Sequence, residues 1–97
     1  MARKIYKFPL GQVNRTVAVA EMPWGARVLD VQLQDDVHVA WAEIDSEETR
    51  LVRRRFHLFY TGMVIPADSA LTYLRTDQRD GLVFHIYLDT KQYTDEA

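Results

Sequence analysis

The chain has 97 residues, enough for one domain over 1–97 and too few for a second core. Its 47% apolar and 27% charged residues are the composition of an ordinary globular protein rather than a disordered one. A formal net charge of −2 argues against a general nucleic-acid binder, and the lack of cysteine excludes disulfides, thiol nucleophiles and thiolate metal sites.

The opening MARKIYKFPL starts basic, but Lys7 and Pro9 interrupt the apolar run that a signal peptide needs. No apolar run is long enough to cross a membrane as a helix. Period-2 alternation rich in Val, Ile, Tyr and Phe recurs from here on and predicts strands over 4–9, 16–22, 27–34, 37–45, 51–60, 71–76 and 82–89. Turn residues separate them at 11–14, 23–25, 35–36, 46–50, 62–69 and 77–81. Residues 68–74 offer one helical turn at most, and 93–97 read as a frayed tail. Connections this short favour antiparallel neighbours, because a parallel crossover needs a dozen or more residues. The expectation is an all-β fold, a small antiparallel sandwich or barrel of six to seven strands.

The register follows by arithmetic. With Asp35-Asp36 as a two-residue turn, 34 faces 37, 32 faces 39, 30 faces 41 and 28 faces 43. With 46–50 as a hairpin loop, 45 faces 51. One face then collects Leu29, Val31, Leu33, Ala40, Ala42, Ile44, Val52 and Phe56, with His38 and Arg54 near its margins. Leu82, Phe84, Ile86 and Leu88 supply a further apolar face. The opposite face pairs Glu43 with Arg53, sets Trp41 between Asp30 and Arg55, and sets Val39 beside His57 with Phe59 nearby.

Three readings fit that outward face. Opposite-charge pairs and an arginine on an aromatic ring each stabilise a sheet by about 0.2–1 kcal/mol, with no further role. A later strand can cover the face and make Trp41 a core residue. Or Val39, Trp41, Arg53, Arg55, His57 and Phe59 form a contact surface for a protein partner or a second copy, since Trp and Arg concentrate at interface centres. Trp24, in the turn MPWGA, is either a partner anchor or an end cap.

The basic stretch RLVRRRFHLF splits its aromatics between two faces and lies beside acidic residues, so a nucleic-acid platform is not expected. His38, His57 and His85 fall on three strands without metal-ligand spacing and read as surface or edge histidines. Ser46 and Ser69 lack a nucleophile elbow, and no glycine-rich phosphate loop is present. Asp30 with Glu43 is a conceivable acid/base pair that nothing singles out. No catalytic residue, cofactor or metal is expected.

The chain resembles a family of small uncharacterised proteins of tailed bacteriophages and prophages. The resemblance rests on Ile5-Tyr6-Lys7-Phe8-Pro9-Leu10, Met22-Pro23 with Gly25-Ala26, Val31-Gln32 and Gln34, and Trp41-Ala42. It continues through Arg54–Phe56, Thr61-Gly62, Tyr73-Leu74 with Thr76, and Leu82-Val83-Phe84-His85. Members carry a Gly-Thr-Gly-His-Pro-like turn where this chain has Tyr60-Thr61-Gly62-Met63-Val64, so Met63 cannot fill a role of that histidine. The resemblance implies a phage-encoded, all-β accessory protein of unknown activity made in the host cytoplasm, and it favours small binding proteins. The first expectation is therefore a non-enzymatic protein acting by protein–protein binding in host takeover or counter-defence. The alternatives are a virion structural or decoration protein, and a binder of small anionic ligands in which an oligomer interface makes the pocket. Homo-oligomerisation is expected under all three.

Overall fold

The computed structural model describes residues 2–67 and 69–93. Among them, eight strands form two antiparallel sheets with no helix. The strands are β1 (Arg3–Pro9), β2 (Gly11–Gln12), β3 (Val17–Pro23), β4 (Arg27–Gln34), β5 (Val37–Asp45), β6 (Leu51–Tyr60), β7 (Leu71–Arg79) and β8 (Leu82–Asp89). One sheet has the order β1-β5-β4 and the other β2-β3-β6-β8-β7. The architecture is a sandwich, not a closed barrel. At one side β4 and the turn after it meet β7 through side chains without strand pairing, with Asp30–Arg75 at 3.0 Å and Asp36–Arg79 at 3.6 Å.

The β4–β5 hairpin turns on Asp35 and Asp36, with φ of 51° and 66°. Two left-handed residues in succession give the twist that a two-residue hairpin needs, and Asp tolerates that conformation better than most. The expected register holds from Gln34↔Val37 to Asp30↔Trp41 and then shifts at a bulge between Val28 and Asp30. Val28 therefore lies opposite Ala42, not Glu43, and packs against the core, while Leu29 is left 42% exposed. A second turn of the same kind, Asp80 (φ 51°) and Gly81 (φ 80°), joins β7 to β8. It lets β7 run to Arg79, beyond the expected end at 76, and residues 71–74 are strand rather than a helical turn. Asp68 lies outside the described residues. So do 94–97 of the expected frayed tail, but Tyr93 is paired: it exchanges both backbone hydrogen bonds with Arg53.

The core lies between the sheets. Met22, Val31, Ala40, Ala42 and Phe56 are 0% exposed and Ile86 is 1% exposed. Each large apolar side chain removed from water contributes about 1.5–3 kcal/mol. Arg54, on the inner face of β6, is 5% exposed, so it lies inside rather than at a margin.

The main correction concerns β5 and β6, which do not form a hairpin. Residues 46–50 carry the chain from one sheet to the other, so β5 lies between β1 and β4 and β6 between β3 and β8. Ala40, Ala42 and Ile44 still share a core with Val52 and Phe56, but across the sandwich rather than side by side. The expected pairs Glu43 with Arg53, Trp41 with Arg55 and Val39 with His57 therefore do not form.

Candidate contact surface

On the outer face of the three-stranded sheet, the pairing sets Ile5, Glu43 and Arg27 in one row, Lys7, Trp41 and Asp30 in the next, and Pro9, Val39 and Gln32 in a third. Trp41 is half-buried in the middle, on the central strand. Lys7 donates to Gln34 Oε1 at 2.8 Å, a bridge across the central strand at the position of Val39. Val39 is accordingly 4% exposed although it faces outward. Around it, Ile5 is 58% exposed and Val37 45%. Burial raises the pKa of Asp30, but hydrogen bonds from Gln32 and the Val31 N–H, with the charge of Arg75, outweigh it and hold the carboxyl below its ordinary value. This end of the face is therefore a fixed anion clamped to β7.

β1 is an edge strand, hydrogen-bonded to β5 alone. It carries Arg3, Lys4 and Lys7 and no acidic residue. Arg3 lies 3.6 Å from Glu43. Charged side chains on an edge discourage indiscriminate strand pairing while leaving the backbone groups open to a chosen partner.

The opposite outer face belongs to the five-stranded sheet and carries Arg53, Arg55, His57 and Phe59. Its own chain covers much of it. The Arg55 guanidinium sits 4.1 Å from the centre of the Tyr93 ring. Phe59 is 9% exposed, stacked with His57 and packed edge-on against Tyr87 at 5.6 Å, which in turn meets Tyr73 at 5.5 Å. Pro66, Ser69 and Ala70, from the connection between β6 and β7, lie against this cluster around a shallow cleft of about 250 Å³. Trp24 is elsewhere, in the turn after β3. It is 42% exposed, with the Arg50 guanidinium 5.0 Å from its ring centre. Arg50 in turn grips the Glu48 carboxylate, whose pKa falls to about 2 through hydrogen bonds from the Arg50 side chain and backbone N–H.

The seven residues singled out from the sequence therefore fall in three places. Val39 and Trp41 share one outer face, Arg53, Arg55, His57 and Phe59 share the opposite one, and Trp24 stands apart. Ile5 and Lys7 join Trp41 without any local signal, because only the pairing of β1 with β5 brings them there. A second group was equally hidden. On the five-stranded sheet, His85 lies between Thr76 Oγ1 (2.9 Å) and Thr61 Oγ1 (3.0 Å), and Thr76 also meets the Tyr73 hydroxyl at 2.7 Å. Outward alternation marks Tyr73 and His85, but the bulge between Tyr73 and Arg75 decides that Thr76 reaches them.

His38 corrects a further expectation. It is neither a surface nor an edge histidine: its side chain is 11% exposed, and it packs edge-on against Phe84 inside the sandwich. Among the described residues, no group of three or more His, Asp or Glu is placed to hold a metal ion.

Fold and surface together define a small β-sandwich with one outer sheet face centred on the half-buried Trp41 and the other partly roofed by connecting segments. The chain belongs to the family described as Domain of unknown function (DUF7352), whose model matches residues 1–97. No curated protein and no solved structure matches it.

Proposed function

We propose that this is a non-enzymatic, phage-encoded accessory protein that acts by protein–protein contact in the host cytoplasm, in host takeover or counter-defence. The observation that carries the reading is the position of Trp41, central on an outer sheet face beside the basic edge strand β1. A half-buried tryptophan ringed by apolar and charged neighbours has the composition of an interface centre with a polar rim. The occupant that fits is an acidic extended segment of another protein. It adds to β1 as a fourth strand, matches Arg3, Lys4 and Lys7, and places an apolar side chain over Ile5 and Trp41. The phage setting rests on the motif resemblance alone.

A tagged pull-down from the infected host, with Trp41→Ala and Ile5→Glu alongside, tests the proposal. Loss of Trp41 should weaken binding by about 2 kcal/mol or more, roughly 30-fold, with an unchanged melting temperature to within a few degrees. Full retention of the partner by both variants refutes the surface, as does unfolding of Trp41→Ala. Recovery of the chain alone, as a defined oligomer that Trp41→Ala dissolves, replaces the foreign partner with a second copy. Stoichiometric presence in purified particles assigns it to the virion instead.

A further inference from the structure

At one end of the sandwich the sheets part around an open cleft of about 390 Å³. That volume lies within the roughly 300–1,000 Å³ range of small-molecule sites. Its walls come from elements distant in sequence: His38 from the start of β5, Leu58 and Tyr60 from the end of β6, and Leu82 and Phe84 from the start of β8. Phe84 is 6% exposed and Leu58 8%, so the floor is apolar. Phe84 meets both His38 (5.5 Å, 82°) and Tyr60 (6.2 Å, 82°) edge-to-face, which leaves ring faces and edges disposed around the space.

The mouth is charged and uneven. Arg15 lines it and has no ion-pair partner among the described residues. Arg79, opposite, is partly neutralised by Asp36 at 3.6 Å and Asp80 at 4.0 Å, while Gln12 adds an uncharged amide. The interior contributes a polar group of its own. His38 Nε2 and Asp77 Oδ2 are sealed from solvent and face each other at 3.7 Å, yet neither has a hydrogen-bond partner. Nε2 is the ring nitrogen turned to Asp77, and the His38 side chain lines the cleft.

We propose that this cleft binds a small amphipathic anion, with a flat apolar body against Phe84, Tyr60 and Leu58 and a single acidic head at Arg15. A lone apolar molecule leaves Arg15 unused, and a free inorganic anion leaves the aromatic walls wet, so the two halves are needed together. One negative charge suits the mouth, because Asp36 and Asp80 already occupy Arg79 and repel a second. His38 completes the site. Burial lowers its pKa, the Asp77 carboxylate raises it, and Arg79 lowers it further. An anion bound in the cleft adds its negative charge to that of Asp77 and favours the imidazolium. Binding is therefore coupled to proton uptake by His38.

The test uses the whole chain with 2-naphthoate and 2-naphthyl sulfonate as body plus head, 2-naphthol as body alone, and inorganic phosphate as head alone. Side-chain NMR titration should show saturable one-to-one shifts at Leu58, Leu82, Phe84 and His38 for the two naphthyl anions. Naphthol and phosphate should each bind about tenfold more weakly or worse. Arg15→Ala should weaken naphthoate about tenfold, and Leu82→Trp, at an exposed wall position, should block the cleft; both positions are at the surface, so the fold is kept. Calorimetry in buffers of different ionisation enthalpy should report proton uptake that His38→Gln removes. Shifts mapping to a sheet face, equal binding of naphthol and naphthoate, or naphthoate affinity untouched by both Arg15→Ala and Leu82→Trp overturns the proposal. So does the absence of saturation at millimolar concentrations.

Discussion

Arg54 is a cation inside an apolar core, and replacing it with methionine should leave stability nearly unchanged. It is 5% exposed on the inner face of β6, opposite Ala20 and between the levels of Val52 and Phe56. It donates one hydrogen bond, Nη1 to the Ala26 carbonyl at 2.9 Å, while Nε has no partner. Burial lowers its pKa and the charge of Asp89, itself 8% exposed, raises it in opposition. Holding the ion out of water costs several kcal/mol, and the orphaned Nε adds about 1–3 kcal/mol. Against this stand a charged hydrogen bond contributing about 1.5–3 kcal/mol and the attraction to Asp89. Methionine of similar length keeps the volume and gains about 1.5–3 kcal/mol of apolar burial, but strands the Ala26 carbonyl at about 1–3 kcal/mol. These terms nearly cancel, so Arg54→Met should lie within about 1 kcal/mol of the parent, whereas Arg54→Ala should lose about 3 kcal/mol or more through the void it leaves. Urea titration followed by tryptophan fluorescence measures both. An Arg54→Met variant weakened by about 3 kcal/mol or more, at unchanged m-value, refutes the reasoning and shows that the attraction to Asp89 outweighs desolvation.

Gly81 holds φ of +80° with open space for 4 Å around the position a Cβ would take, so Gly81→Ala should lose about 1 kcal/mol from backbone strain alone; a neutral midpoint in denaturant contradicts this. Tyr93→Phe removes the hydroxyl bound to Asp89 Oδ2 at 2.5 Å and should cost about 1–2 kcal/mol, while Tyr93→Ala should cost roughly a further 0.5–1 kcal/mol as the ring over Arg55 is lost; thermal melts that rank them in the other order count against it. Stability should also depend on pH through His38. Its folded pKa is depressed below 6.5, chiefly by burial, so the unfolded chain takes the proton first. The contribution is full above the unfolded value and is lost as pH falls through the folded one, at no more than about 1.4 kcal/mol per pH unit. Unfolding free energies from pH 8 to 5 should show this slope in the parent and a flatter one in His38→Gln; parallel profiles remove His38 as the cause.

Much of the fold was legible from local chemistry. Alternation marks the strands because one side of each must face the core, and the Asp35-Asp36 pair marks a tight hairpin because few residues accept two left-handed positions. The bulge at Val28 and Asp30 carries no such mark, and it decides that Val28 rather than Leu29 turns inward. The extension of β7 was legible in principle, since Asp80-Gly81 is a strong hairpin dipeptide.

Trp41 shows where local reading ends. Alternation places it opposite the core, and it is there. Which residues surround it depends on which strand lies beside β5, and alternation does not specify a neighbour. A β5–β6 hairpin and the observed crossing between sheets bury the same set, Ala40, Ala42 and Ile44 with Val52 and Phe56. In the hairpin they lie side by side; in the sandwich they face each other. Both arrangements bury the same side chains, so the pattern cannot choose between them. Pairing with strands distant in sequence, β1 with β5 and β3 with β6, makes the choice, and it sends Trp41 and Arg55 to opposite outer faces. The end cleft has the same origin, because Arg15, His38, Leu58 and Phe84 meet only when both sheets are closed over one core. By itself, then, the sequence determined where the chain turns and, away from the bulges, which side of each strand faces the core, through the pleat and the hydrophobic effect. The tertiary structure decided which surfaces exist, because surfaces are made by neighbours that local periodicity does not encode.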